Sequence, residues 1–201
     1  MKLPIKNLYG LVLTGGESRR MKQDKAALKF HGQTQTEFGV NLLAKFCEKV
    51  FISNRKEQKD KPGHKGFTQI HDRDEYSNIG PLGGILSALA EYPNAAWLVL
   101  ACDLPFVKES TMETLLEKRN SQKIATAYIS THDNLPEPLC AIYEPAARAQ
   151  LLKFFKTDIH CPRKIMINSA VELLAQNDKT ALENINNPDE FDQALKVFKK
   201  K

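Results

Sequence analysis

Several features are missing from this 201-residue chain, and each absence removes a class of protein. No run of about 18 apolar residues occurs, so no segment reads as a membrane-spanning helix. Residues 1–8 hold no apolar stretch of signal-peptide length. The four cysteines, Cys47, Cys102, Cys140 and Cys161, form no CxxC pair and have no histidine cluster at zinc spacing. Cys102 and Cys140 lie in apolar runs and read as small buried hydrophobes, which suits a reducing compartment and predicts a cytoplasmic protein. Two glycine fingerprints are also absent. Without GxxxxGK[ST] there is no Walker A loop, and without GxGxxG there is no dinucleotide fold of the usual kind.

The composition that remains is that of an ordinary globular domain, 42% hydrophobic and 26% charged. The net charge of +5 is spread along the chain, apart from the tail Lys199, Lys200, Lys201. A nucleic-acid binder would concentrate it on one face or arm, so no nucleic-acid partner is expected. The length suits a single domain, residues 1–201, with one core and no need for disulfide or metal staples.

Short β-rich runs alternate with longer amphipathic ones. That pattern predicts an α/β protein, a three-layer αβα sandwich around a mostly parallel, Rossmann-like sheet. Strands are expected near 9–13, 50–53, 67–71, 96–101, 124–129, 139–143 and 171–174. Helices are expected over 35–47, over 81–92, after a Ser110/Glu113 capping box, and after Asn187-Pro188.

Four constellations carry chemistry. In the first, Leu13-Thr14-Gly15-Gly16 follows directly on the first strand, and Arg19, Arg20 and Lys25 come soon after. Glycines let backbone N–H groups approach a ligand, and the cations supply charge, which together suit phosphate oxygens. In the second, Asp103 leaves the end of the most apolar strand. It is either a turn carboxylate or a ligand for Mg²⁺, which needs only one or two protein carboxylates beside substrate phosphates. In the third, Asp72 ends another strand, and Gly80-Pro81-Leu82-Gly83-Gly84 opens a helix after it. These glycines serve either ligand approach or helix packing. In the fourth, Asn184-Ile185-Asn186-Asn187-Pro188-Asp189 holds either a helix cap or part of a metal or phosphate shell. The five histidines share no spacing and read as surface or turn residues. Trp97 reads as core, and Arg163-Lys164 as a solvated helix end.

These motifs, in this order, resemble the molybdenum cofactor guanylyltransferases (MobA-type), nucleotidyltransferases with a GT-A-like fold. The family pattern LAGGxSxRMGxDK appears as LTGGESRRMKQDK, GPLxGI as Gly80–Ile85, CDxP as Cys102-Asp103-Leu104-Pro105, and NINTPE as residues 184–189. The chain departs from the pattern at Thr14 (for Ala), Lys22 (for Gly) and Glu137 (for Gln or His). The resemblance implies an enzyme that transfers GMP from GTP to molybdopterin, with a nucleotide-binding part at about 8–106 and an acceptor-binding part at about 107–201. By the same resemblance, Leu13, Thr14, Gly15, Gly16, Lys25, Asn54, Asp72, Gly80, Pro81 and Asp103 meet the nucleotide. Asp103 and Asn186 hold Mg²⁺, and Arg19, Lys25 and Asp103 act in catalysis. Proteins of molybdoenzyme maturation are implied as partners. A cytidylyltransferase or sugar-phosphate nucleotidyltransferase of the same fold, and a non-catalytic GTP-binding protein, are the competing readings.

Overall fold

The computed structural model describes residues 5–16, 28–30, 32–185 and 187–199. A seven-stranded mixed sheet forms the middle layer. It comprises β1 (Ile5–Leu13), β4 (Cys47–Asn54), β5 (Gln69–His71), β6 (Ala96–Ala101), β7 (Ala125–Ile129), β8 (Pro136–Tyr143) and β9 (Val171–Leu174), in the order β5-β4-β1-β6-β8-β7-β9. Only β8 runs against its neighbours. A small hairpin of β2 (Lys29–Phe30) and β3 (Gln33–Thr34) stands apart from the sheet.

Alternation along the strands builds two cores. Leu11, Phe51 and Val99 face one side; Val12, Ile52, Leu98 and Leu100 face the other. The first face is covered by α2 (Pro81–Glu91), α4 (Ala147–Phe155) and α5 (Pro162–Ile167), through Leu82, Ile85, Leu86, Leu151 and Ile165. The second is covered by α1 (Gln35–Leu43) and α3 (Glu109–Glu117), through Leu42, Leu43, Met112 and Leu115. β6 is buried along its whole length because helices cover both its faces, which explains its unbroken apolar sequence. Trp97 lies fully inside, edge-on to Tyr9 at 5.6 Å. The last helix, α6 (Pro188–Lys199), places Ala194 beside Leu28 and Ile185 in a third, smaller cluster.

Local boundaries differ from the sequence reading in instructive places. α1 starts at a capping box, with the Glu37 N–H donating to Thr34 Oγ1 and the Thr34 N–H to Glu37 Oε2. It stops at Leu43, because Cys47 already belongs to β4. α3 starts two residues earlier than a Ser110 cap would set. Its N-cap is Lys108, whose N–H points to Thr111 Oγ1 at 3.4 Å. β8 begins at Pro136, three residues ahead of the expected start at 139. α4 has no counterpart in the sequence reading, and α5 has only the helix end expected at Arg163-Lys164. Cys140 is buried as expected, whereas Cys102 is only half-buried. Among the described residues, no helix is long and apolar enough to cross a membrane.

Candidate active site

Strand register gathers the candidate residues at one edge. Leu13 pairs with Ser53 on one side and Ala101 on the other, and Asn54 pairs with His71. β1, β4, β5 and β6 therefore end level. Thr14–Gly16, Arg55, Asp72 and Cys102-Asp103 all leave from that edge. The chain builds outward from β1 toward β4 and β5, then returns to place β6 on β1's other side. Such a reversal opens a crevice at the carboxyl ends of the strands, the usual ligand position in open α/β sheets.

The loop after β1 is fixed at its root. The Thr14 N–H and hydroxyl both donate to the Ser53 carbonyl at 2.9 Å, and the Cys102 N–H donates to the Leu13 carbonyl at 3.2 Å. Thr14 is thus buried and doubly anchored to β4, and the Ala of the family pattern would keep the N–H bond but not the hydroxyl one. A Cβ on Gly16 would meet nothing within 4 Å, so internal packing does not require glycine there. The open space suits backbone approach to a ligand. Arg19 and Lys25, further along the loop, lie outside the described residues, as does Asn186.

Gly83 and Gly84 differ. A Cβ on Gly83 would stand 2.4 Å from the Tyr76 carbonyl oxygen, and one on Gly84 would stand 2.2 Å from Ser53 Oγ. These glycines seat α2 against the ends of β4 and β5. Of the two readings left open for them, packing accounts for both. Gly80, the N-cap of α2, has φ 67° and ψ −147°, a region essentially restricted to glycine. Pro81 occupies N1, and the turn carries no side-chain cap.

The sequence reading places Asn54 against the nucleotide, but the structure turns its carboxamide inward. Gln69 Nε2 donates to the carbonyls of Lys59 and His64, which aims Gln69 Oε1 at Asn54 Nδ2, 2.8 Å away. Asn54 Oδ1 therefore accepts from His71 Nδ1–H at 2.6 Å. Burial, followed by the charge of Lys59, lowers the His71 pKa, which keeps the ring neutral. His64 is fully buried, not a surface residue, and its Nδ1 lies against the Gln58 carbonyl at 3.0 Å. What Asn54 delivers to the edge is orientation: its side chain sets His71, and its carbonyl accepts the Asp72 N–H at 3.0 Å.

Asp72 is half-buried, and burial raises its carboxyl to about 6, with Arg55 opposing the rise. Asp103 is also half-buried, and its backbone carbonyl accepts the Ile185 N–H at 3.0 Å. That bond brings the asparagine-rich segment to the Asp103 loop. Asn187 caps α6 reciprocally, accepting the Glu190 N–H at 2.9 Å and donating to Glu190 Oε1 at 2.6 Å. Among the described residues, no group of three or more His, Cys, Asp or Glu side chains comes together.

Two features escaped the sequence reading. One is the Gln69–Asn54–His71 relay. The other is Arg163, which is no solvated helix end: it donates to Asp133 at 2.9 Å and to Glu137 at 2.8 Å. Its partners lie 30 and 26 residues away along the chain, beyond any local pattern.

Known proteins resemble this chain in sequence and in fold. The family model described as MobA-like NTP transferase domain matches residues 10–173. A Synechocystis protein named molybdenum cofactor biosynthesis bifunctional protein is 38% identical over 92% of this chain, which spans 53% of that protein. A probable molybdenum cofactor guanylyltransferase from a Nostoc species is 30% identical, over 92% of this chain and 89% of its own. The crystal structure of molybdopterin-guanine dinucleotide biosynthesis protein A from Archaeoglobus fulgidus superimposes with a TM-score of 0.79. It is 24% identical and covers 96% of this chain and 100% of its own, a likeness of fold. The match over residues 10–173 runs from the C-terminal half of β1 into β9 and takes in every edge residue described above except the last segment, so the chain belongs to the MobA-like NTP transferase family.

Proposed function

We propose that this chain is a cytoplasmic guanylyltransferase that moves GMP from GTP to a molybdopterin acceptor, releasing pyrophosphate. The observation that carries the reading is the convergence of Thr14–Gly16, Asp72 and Asp103 on one sheet edge in a member of this family. In this reading the nucleotide lies over residues of the part at about 8–106, and the acceptor meets the part at about 107–201. Asp72 accepts N–H groups from the base, while Thr14, Gly15 and Gly16 line the phosphates with backbone N–H groups. Gly80 and Pro81 place the first turn of α2 nearby, and Arg19 and Lys25 neutralise the departing pyrophosphate. The acceptor phosphate is already a nucleophile at neutral pH, so positioning and charge neutralisation supply the catalysis and no general base is needed.

The donor set fits a magnesium ion. Asp103 offers hard carboxylate oxygens beside the phosphate loop, and Mg²⁺ takes its remaining ligands from water and substrate rather than from a protein cage. Asp103, joined by Asn186, would hold the ion, which supplies charge neutralisation on phosphate oxygens.

Thermal-shift titration tests the reading. GTP with Mg²⁺ is expected to stabilise the protein more than ATP, CTP or UTP does, by an amount that grows with ligand concentration. Preference for CTP would move the chain to a cytidylyltransferase role. No shift with any nucleotide would leave a non-catalytic protein.

The raised Asp72 carboxyl adds a pH signature. A base that donates N–H groups binds the ionised form, so GTP affinity should fall as pH drops below about 6, approaching tenfold per unit. Asp72→Asn should weaken binding and flatten that profile. In the unliganded protein the sign is opposite. The folded state holds the proton more tightly than the ordinary 3.8, so stability is lost as pH rises from about 4 through about 6. A GTP affinity independent of pH from 5 to 7 would exclude Asp72 from the base contact.

A further inference from the structure

Glu137 and Arg163 meet at the same sheet edge as Asp103, on the far side of β6. Leu100 pairs with Cys140 and β8 runs against β6, so the start of β8, Pro136 and Glu137, lies level with the residues that follow Ala101. Arg163, the second residue of α5, reaches across to it. Nη2 donates to Glu137 Oε2 at 2.8 Å, and Nη1 donates to Asp133 Oδ2 at 2.9 Å. Asp133 is itself fixed, since its Oδ1 accepts the Leu135 N–H at 3.1 Å. The pair remains within reach of a ligand: the Arg163 and Glu137 side chains are 33% and 20% exposed.

Counting donors and acceptors limits what this cluster can take. A guanidinium carries five N–H donors and a carboxylate two acceptor oxygens. Arg163 therefore keeps donors beyond the two it gives to Asp133 and Glu137. Among the described residues, nothing donates to Glu137 Oε1. Two carboxylates around one guanidinium leave the cluster one unit negative, which disfavours a phosphate. A neutral ring edge fits better, with a carbonyl facing Arg163 and N–H groups facing Glu137.

We propose that Glu137 and Arg163 form a specificity site for the 2-amino-4-oxopyrimidine edge of the acceptor's ring system, with Asp133 holding Arg163 in place. The ring's 4-oxo group accepts from Arg163, and its N3–H and 2-amino groups donate to Glu137. This rests on the guanylyltransferase reading and names the part of the acceptor that is recognised. Guanine presents the same edge, but Asp72 leaves β5, four strands from β8, roughly 19 Å across the sheet. One base cannot span both places, so the Glu137 cluster falls to the acceptor.

The test uses the full chain and the intrinsic fluorescence of pterin (2-amino-4-oxopteridine). Pterin is expected to bind, and lumazine, whose 2-oxo group opposes Glu137 with a second acceptor, should bind about tenfold more weakly or worse. Glu137→Ala should weaken pterin by about tenfold or more while leaving stabilisation by GTP and Mg²⁺ intact. Inorganic phosphate should not displace pterin. If Glu137→Ala does not fold, Arg163→Lys keeps a cation at the cluster but loses the forked donor geometry, and should show the same loss. Equal affinity for pterin and lumazine, displacement by phosphate, or a folded variant that loses guanosine rather than pterin would each overturn the proposal. A wild-type chain that GTP fails to stabilise would instead sink the guanylyltransferase reading.

Discussion

Asp103→Ala is expected to lower the rate of pyrophosphate release from GTP and acceptor by about a thousandfold, the scale of removing one well-placed charge stabiliser. Asp103→Asn should fall nearly as far, because a neutral amide is a poor magnesium ligand even when its shape is kept. Thermal denaturation of both variants should stay close to wild type. The tether of Asp103 to Ile185 uses the backbone carbonyl, which neither change removes. Wild-type turnover in Asp103→Ala would refute the metal assignment, and loss of folding in both variants would show that the carboxylate has a structural role.

Gly83→Ala is expected to destabilise the protein by about 3 kcal/mol, because the new methyl group would meet a backbone carbonyl, Tyr76 O, at 2.4 Å. For a chain of this size that is a drop of about 10 °C in Tm. Either the 3-10 turn Asp74–Tyr76 or the start of α2 has to move, and Asp72 moves with it, so GTP affinity should also fall. Gly84→Ala offers an internal control. Its nearest obstacle is the Ser53 hydroxyl at 2.2 Å, so adding Ser53→Ala should recover part of the lost stability. No side-chain trimming relieves Gly83→Ala. Equal Tm values for wild type and Gly83→Ala would mean that α2 seats less tightly than the 2.4 Å approach requires.

The parts legible in the sequence were those written by neighbours along the chain. β6 and Asp103 could be read because an apolar run followed by a carboxylate is a local pattern. The glycine loop after β1 could be read for the same reason. The hairpin of β2 and β3 escaped because two-residue strands carry too few positions for a period to show. α4 escaped although Leu151 and Phe155 are spaced as a helix requires. The inward turn of Asn54 depends on Gln69 and His71, fifteen and seventeen residues away, and could not be inferred from Asn54 alone. The same holds for the ion pairs of Arg163. Residue chemistry identified the edge, whereas long-range pairing decided which way each side chain faces.

The hydrogen bond from Ile185 to the Asp103 carbonyl sets an order of events during synthesis. The two residues lie 82 positions apart, and Ile185 follows β9, the last strand of the sheet. A nascent chain can complete every strand before Ile185 emerges from the ribosome, so the sheet can be finished while the Asp103 loop still lacks its clamp. Competence to hold a ligand at that edge would then follow completion of the sheet rather than accompany it. Chains broken off after the sheet is made would be folded but inert.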